Sequence, residues 1–401
     1  MTRIFIGFAC AYFLSALLRA VTATLAPAFS AELALQAADL GLLAGVYFFG
    51  FAALQLPLGH ALDRFGPRRV LLALMTLAVA GCLAFAAARS LPGLLAARMM
   101  IGMGVAACLM APLTSYRRRF SPAAQLRANS WMLMTGSLGM VASTLPVQWA
   151  LPLIGWRGLF VLLAAALVAA MCLLWWLVPA DPPITVAGER GADAAASGGY
   201  AAILRHPLFV RLAPLAVMQY GGLIAVQALW AGPWLTEVAG RTPAQAAAGL
   251  FGINLSMLLA FLAWGALMPR LAARGLTALA VLRRGMPWVL AVLAGIIWVG
   301  PAAGAGAWAA WAAWCVASTC VSLSQPAVGQ AFPAAQAGRA LSAYNLLIFA
   351  GVFGVQWGIG LALDAARAAG LDTVAAFRVT FSGFGLACGA AYAWFLWRGR
   401  A

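Results

Sequence analysis

The chain has 401 residues, of which 65% are hydrophobic and only 8% charged, with a mean hydropathy of +0.96. Soluble domains are roughly half apolar, so this composition excludes a water-soluble core, and continuous Leu- and Ala-rich runs exclude a barrel of alternating ten-residue strands. The net charge of +16 would point a soluble chain toward nucleic acid, but here the basic residues stand in short clusters between apolar runs, so the expected partner is lipid and not nucleic acid.

Apolar runs long enough to cross the hydrocarbon layer as helices recur from end to end. In chain order they predict spans at Ile4–Ala26, Leu40–Leu58, Val70–Ala87, Leu94–Tyr116, Trp131–Ile154, Leu159–Val178, Leu208–Leu235, Ala248–Met268, Met286–Gly300, Trp308–Val328, Ala343–Leu363 and Ala376–Trp397. The first run follows Arg3 like a signal peptide, but its length and the eleven spans after it predict a retained helix. An even number of spans puts both termini on one side. With the termini in the cytoplasm, eighteen arginines fall inside and five (Arg89, Arg157, Arg241, Arg367, Arg378) outside, as the positive-inside rule requires. Seven cysteines are scattered through the apolar runs without a CxxC, and His60 and His206 stand alone, so neither a disulfide framework nor a metal site is expected.

The longest polar interruption, PADPPITVAGERGADAAASGGYAAILRHP, separates spans six and seven. It divides the chain into residues 1–178, a cytoplasmic linker at 179–207, and residues 208–401. The halves echo one another weakly. Gly59, Asp63, Arg64 and Arg68 after span two correspond to Gly265, Pro269, Arg270 and Arg274 after span eight, with the carboxylate lost. RANSW and RALSA precede spans five and eleven, and WRGLF and FRVTF open spans six and twelve. The fold class is therefore all-α and polytopic, with twelve transmembrane helices in two pseudo-symmetric six-helix bundles.

One stretch, GHALDRFGPRR at residues 59–69, concentrates charge between two apolar runs. It resembles the loop signature between helices two and three of the major facilitator superfamily, at Gly59, Asp63, Arg64, Gly66, Arg68 and Arg69, with the expected Leu one place late at Leu62. Arg98 and Gly102 match a second signature of that family in helix four. The resemblance covers essentially the whole chain. It implies alternating access, a cavity lined by helices one and four, a chain that works as a monomer, and a gating latch in which Asp63 meets the end of helix eleven when the cavity opens outward. The arginines of the cluster also serve orientation; an acid among them does not.

Charged groups inside spans are costly, and each is a functional candidate. All nine acids lie in loops or at span ends, whereas Arg19 lies in span one and Arg98 in span four, both expected in the outer third of the membrane. With no internal carboxylate to pair them, a bound anion is their natural complement. Polar candidates for the same chamber are Tyr12, Tyr47, Gln148, Gln219, Tyr220, Gln227, Asn254, Asn345 and Gln356, of which Gln219 and Tyr220 stand beside two glycines where a helix can bend. The glycines of GSLGM (136–140) and GVFG (351–354) are expected at seams of sliding helices.

The expected function is a secondary transporter in a bacterial inner membrane, moving a small solute, with a small organic anion favoured, by proton coupling or exchange and without a cofactor. No GxxxxGK[ST] motif suggests a built-in ATP motor, and no acid, His or nucleophile cluster inside the bundle suggests an enzyme. Two alternatives stay open. Methionines of spans four and five, Met99 and Met103 foremost, suit a copper carrier, since thioethers bind Cu(I). A membrane sensor without transport is the other.

Overall fold

The computed structural model describes residues 2–179 and 200–399; the linker stretch 180–199 lies outside them. Every crossing is helical, because a lipid-embedded backbone must satisfy its own N–H and C=O groups. The first half comprises α1 (Thr2–Leu33), α2 (Ala37–Ala53), α3 (Gln55–Phe65), α4 (Pro67–Ala87), α5 (Leu91–Gly104), α6 (Ala107–Arg119), α7 (Pro122–Ala142) and α8 (Leu145–Leu177). A short α9 (Tyr200–Arg205) then leads to α10 (Pro207–Val238), α11 (Pro243–Ala273), α12 (Ala278–Val299), α13 (Ala307–Ser318), α14 (Ser324–Gln330), α15 (Ala334–Ala368) and α16 (Thr373–Trp397).

Nine helical stretches among the described residues are long and apolar enough to cross a bilayer. One of them, Ala278–Gln330, reverses through the 3-10 turn Gly300–Gly306 and makes two crossings. Another, Leu145–Leu177, breaks at Gly155, so its first turns complete the crossing that α7 begins. With α2 and α3 as one further crossing, the total is the expected twelve. Several helices outrun their apolar segments: α12 starts at Ala278 rather than Met286, and α15 runs from Ala334 to Ala368 rather than from Ala343 to Leu363. Apolar length records the hydrocarbon thickness, while the helical hydrogen bonds persist into the headgroups.

Within the first bundle α4 packs on α5 and α8, and α1 on α7 and α8; in the second, α11 and α12 pack on α13, and α10 on α15. Trp234, Trp311, Phe377 and Phe381 interlock edge to face at the centre of the second bundle. Lipid removes the usual hydrophobic drive between helices, so such dispersion contacts carry the association. The outer surface is apolar instead, with Leu153, Trp176 and Trp298 more than four-fifths exposed.

On the face remote from the termini the two bundles are closed against each other along α2 and α15. A Cβ on Gly41 would lie 2.4 Å from the Gln356 carbonyl, and one on Gly360 would lie 2.4 Å from the Ala37 carbonyl, so only glycine permits this approach. At the end of the seam the Asp364 carboxylate accepts hydrogen bonds from the Ala37 and Ala38 amides at 3.2 and 2.7 Å. It thereby caps the N-terminus of α2 from the opposite bundle, where the helix dipole favours an anion. The expected glycine seams lie elsewhere: Gly136 and Gly139 face α1 and Gly351 faces α10, each within its own bundle, and Gly354 meets nothing. Also on this face, Glu32 pairs with Arg157, and Glu237 with Arg367 at 2.6 Å, each within one bundle.

The charged stretch 59–69 lies on the terminal face. Gly66 takes φ 84°, a left-handed conformation that ends α3 and lets Pro67 open α4. Arg68 stacks over Trp175 at 4.1 Å, Arg64 over Phe65 at 5.2 Å, and Arg69 is exposed. Arg118 donates to the Leu62 carbonyl at 3.3 Å. Asp63 sits in α3, but its side chain lies outside the described residues. Gly59 has no atom within 4 Å of where a Cβ would stand. Gly59→Ala is therefore expected to raise the stability of this state by about 0.5–1 kcal/mol, read as a small rise in Tm of the detergent-solubilised protein.

Candidate functional site

Between the bundles lies a cavity of about 580 Å³ that is open toward the terminal face. Its walls come from the terminal-side parts of their helices: Gln55 of α3, Leu109 and Met110 of α6, Leu133 and Met134 of α7, Phe261 and Leu262 of α11, Pro326 of α14 and Asn345 of α15. The seam of α2 and α15 closes the other end. Among the described residues the chamber is therefore closed toward the face remote from the termini.

One face of α1 supplies Tyr12, Ser15 and Arg19, spaced so that all three point to the same side. Arg19 is the one charged residue lining the cavity among the described residues. It stands near the middle of α1, which runs on to Leu33. Its guanidinium faces the hydroxyls of Tyr12 and Tyr47, and no described carboxylate pairs with it. Ser15 Oγ, one turn away, is buried and has no hydrogen-bond partner in the described structure.

Arg98 stands at the same level but turns the other way. It is 1% exposed and does not line the cavity. Its guanidinium donates to the Leu18 carbonyl at 2.9 Å, the Arg19 carbonyl at 3.4 Å and Thr22 Oγ1 at 2.6 Å, and lies 4.8 Å from the centre of the Tyr47 ring. Tyr47 in turn donates to the Ser15 carbonyl at 3.3 Å and is likewise absent from the lining. Arg98 and Tyr47 thus clamp the backbone of α1 behind the face that carries Arg19.

The second bundle contributes polar groups from α10, α11 and α15. Gln227 donates to Asn254 Oδ1 at 2.8 Å, and Asn254 donates to the Leu250 carbonyl at 2.9 Å. Tyr220 donates to Gln325 Oε1 at 3.4 Å, and Gln325 donates onward to Asn345. These five residues line the chamber. Gln219 does not, since it is buried and donates to Ser318 Oγ at 3.1 Å. Gln356 is fully buried outside the lining: its carbonyl accepts from Trp230 Nε1 at 3.1 Å, and its side-chain amide has no partner in the described structure. Gln148 is also outside the lining.

The helix α10 carries three π-helical turns, Ala216–Tyr220, Val226–Trp230 and Trp234–Val238. Gln219, Tyr220, Gln227 and Trp230 all stand on them. The glycine pair between the first two turns is ordinary α-helix, so the distortion flanks Gly221 and Gly222 rather than breaking there.

Sequence reasoning missed Ser15, Gln55, Ser137, Ser322 and Gln325, which also line the cavity. Two of these had a readable signal: Gln55 lies two residues before Pro57 and Gln325 immediately before Pro326, where a proline inside an apolar run disturbs the helix. The copper candidates Met99 and Met103 pack against Gly50 between α5 and α2 and do not line the cavity; Met110, Met134, Met140 and Met257 do.

No curated protein matches this sequence. The chain is similar in structure to a bacterial homologue of the human lysosomal transporter Spinster, in an inward-facing and unoccupied conformation, with TM-score 0.76 and 18% identity over 99% of this chain and 96% of that one. It is similar also to the POT family transporter PepTSo, with TM-score 0.76 and 15% identity over 100% and 97% of the two chains. The xylose transporter XylE from E. coli, in an inward-open conformation, has TM-score 0.73 and 14% identity over 98% and 95%. At such identities these likenesses speak for the fold alone. The family model of the Major Facilitator Superfamily matches residues 8–355, and with the twelve-helix, two-bundle architecture this makes the chain a member of that superfamily of secondary transporters.

Proposed function

We propose that this transporter moves a small organic anion across a bacterial inner membrane by alternating access, with both termini in the cytoplasm and the chain acting as a monomer. The observation that carries the reading is Arg19: a single cation in the wall of a membrane-embedded chamber, facing hydroxyls and no described carboxylate. An unpaired charge at that depth is expensive, and an anionic substrate is the partner that repays it. The boundaries 1–178, 179–207 and 208–401, and the role of Asp63 with Arg64, Arg68 and Arg69 as a latch of the opposite state, belong to the same reading. In that orientation the present conformation faces inward, and the arginine asymmetry supports it.

Coupling is to protons or to a counter-anion. A pH gradient or a trans-loaded anion imposed on proteoliposomes separates the two. Of the copper candidates in spans four and five, Met99 and Met103 pack on α2 whereas Met110, Met134 and Met140 line the chamber, so copper uptake measured in the same vesicles separates that reading from the anion. Flux in the same vesicles separates a transporter from a sensor. Arg19→Gln is expected to lower anion uptake at least tenfold at subsaturating substrate, the equivalent of about 1.5–3 kcal/mol for charge-assisted hydrogen bonds. Uptake unchanged by that substitution would refute the anion reading.

A further inference from the structure

The chamber is chemically lopsided, and the imbalance narrows the substrate class. At one wall α1 offers a cation at Arg19 and an unpartnered hydroxyl at Ser15, on one helix face with Tyr12. Elsewhere the polar side chains of the lining each already make a hydrogen bond within the protein. Gln55 donates to the Phe51 carbonyl at 3.4 Å, Ser137 to the Leu133 carbonyl at 3.2 Å and Ser322 to the Thr319 carbonyl at 2.7 Å. Between them the wall is hydrocarbon, thioether and phenyl, with Met110, Met134, Met257, Phe51, Phe261 and Phe349 prominent.

Resting on the anion reading above, we infer that the substrate is an amphiphilic monoanion: one carboxylate-like head for Arg19 and Ser15, and an apolar body of drug-like size for the methionine and phenyl wall. A second negative charge would meet no described cation in the lining and would sit desolvated against apolar side chains. The volume of about 580 Å³ falls among ligand pockets of about 300–1,000 Å³ and far exceeds what a two-carbon acid fills. A polyhydroxylated body would lose water along the methionine and phenyl wall, which offers it few polar partners. The unbranched thioethers adapt to different shapes, so the head is recognised strictly and the body loosely.

The test measures competition against radiolabelled benzoate on the full-length protein in nanodiscs of zwitterionic lipid, with empty nanodiscs subtracted. The probes are acetate, hexanoate, phenylacetate, succinate and benzyl alcohol. Hexanoate and phenylacetate are expected to bind at least roughly tenfold more tightly than acetate, from the apolar area buried. Succinate is expected to be weaker than hexanoate by a similar factor. Met110→Gln and Phe261→Gln should weaken benzoate and hexanoate several-fold while leaving acetate unmoved, and Arg19→Gln should weaken every anion.

Acetate or succinate binding as tightly as hexanoate overturns the amphiphile and leaves the anion reading standing. Benzyl alcohol binding as tightly as benzoate, in both the parent and Arg19→Gln proteins, overturns the anion reading itself. Failure of every probe to bind overturns both, and the Tm of each variant shows separately that it folds.

Discussion

Asp364→Ala is expected to unlock the face remote from the termini and shift the protein toward its opposite conformation by roughly thirtyfold. Among the described residues the carboxylate is the charged contact that spans the two bundles there, and it takes both the Ala37 and the Ala38 amides. Charge-assisted bonds of this kind contribute about 1.5–3 kcal/mol, and about 2 kcal/mol is appropriate for a half-buried group near the headgroups. The bonds exist only while that face is closed, so their loss acts on the equilibrium between states and not on folding alone. Asp364→Asn keeps an oxygen acceptor without the charge and should fall between. Spin labels at Gln36 and Leu371, both exposed on this face, report the change as a longer distance population. An unchanged distribution in Asp364→Ala would show that the glycine seam alone holds the closure.

The second large effect belongs to Arg98. Arg98→Leu removes three hydrogen bonds from a buried cluster and takes from the Thr22 hydroxyl, and from the Leu18 carbonyl that keeps its helical bond, their side-chain donor. A destabilisation of about 1.5–3 kcal/mol follows from the lost charge-assisted bonds. Arg98→Lys should recover little of it, because an ammonium cannot spread across two carbonyls and a hydroxyl as the planar guanidinium does. Unfolding in detergent measures this directly. Arg19→Gln provides the contrast, with anion binding lost and the unfolding transition nearly unmoved. If Arg98→Leu unfolds like the parent but fails to bind anions, Arg98 and not Arg19 holds the anion.

The difference between these arginines also marks where reading from sequence stops. Both stand out as charges inside apolar runs, and their common depth follows from counting residues inward from each end. Whether each faces the chamber or the bundle depends on the rotation of its helix, which packing sets. Tyr220, Gln227, Asn254 and Asn345 lie on the chamber, while Tyr47, Gln219 and Gln356 point into helix contacts, and nothing in their local sequence separates the two groups. The twelve crossings were legible because lipid thickness imposes one length on every span. The turn at Gly66 was legible because a glycine followed by proline between two apolar runs has few other conformations. Asp364 gave no sign of its role: an acid at the end of a span reads as an ordinary terminal residue, and its partner amides lie on α2 in the opposite half of the chain.

The wide turns of α10 have a mechanical consequence. Each stores one surplus residue relative to α-helical winding, and surrendering it would swing everything beyond that point by about 100° around the axis without leaving a backbone group unbonded. Tyr220 and Gln227 ride on two of these turns, so a shift of either turn along α10 would re-aim a side chain of the chamber wall.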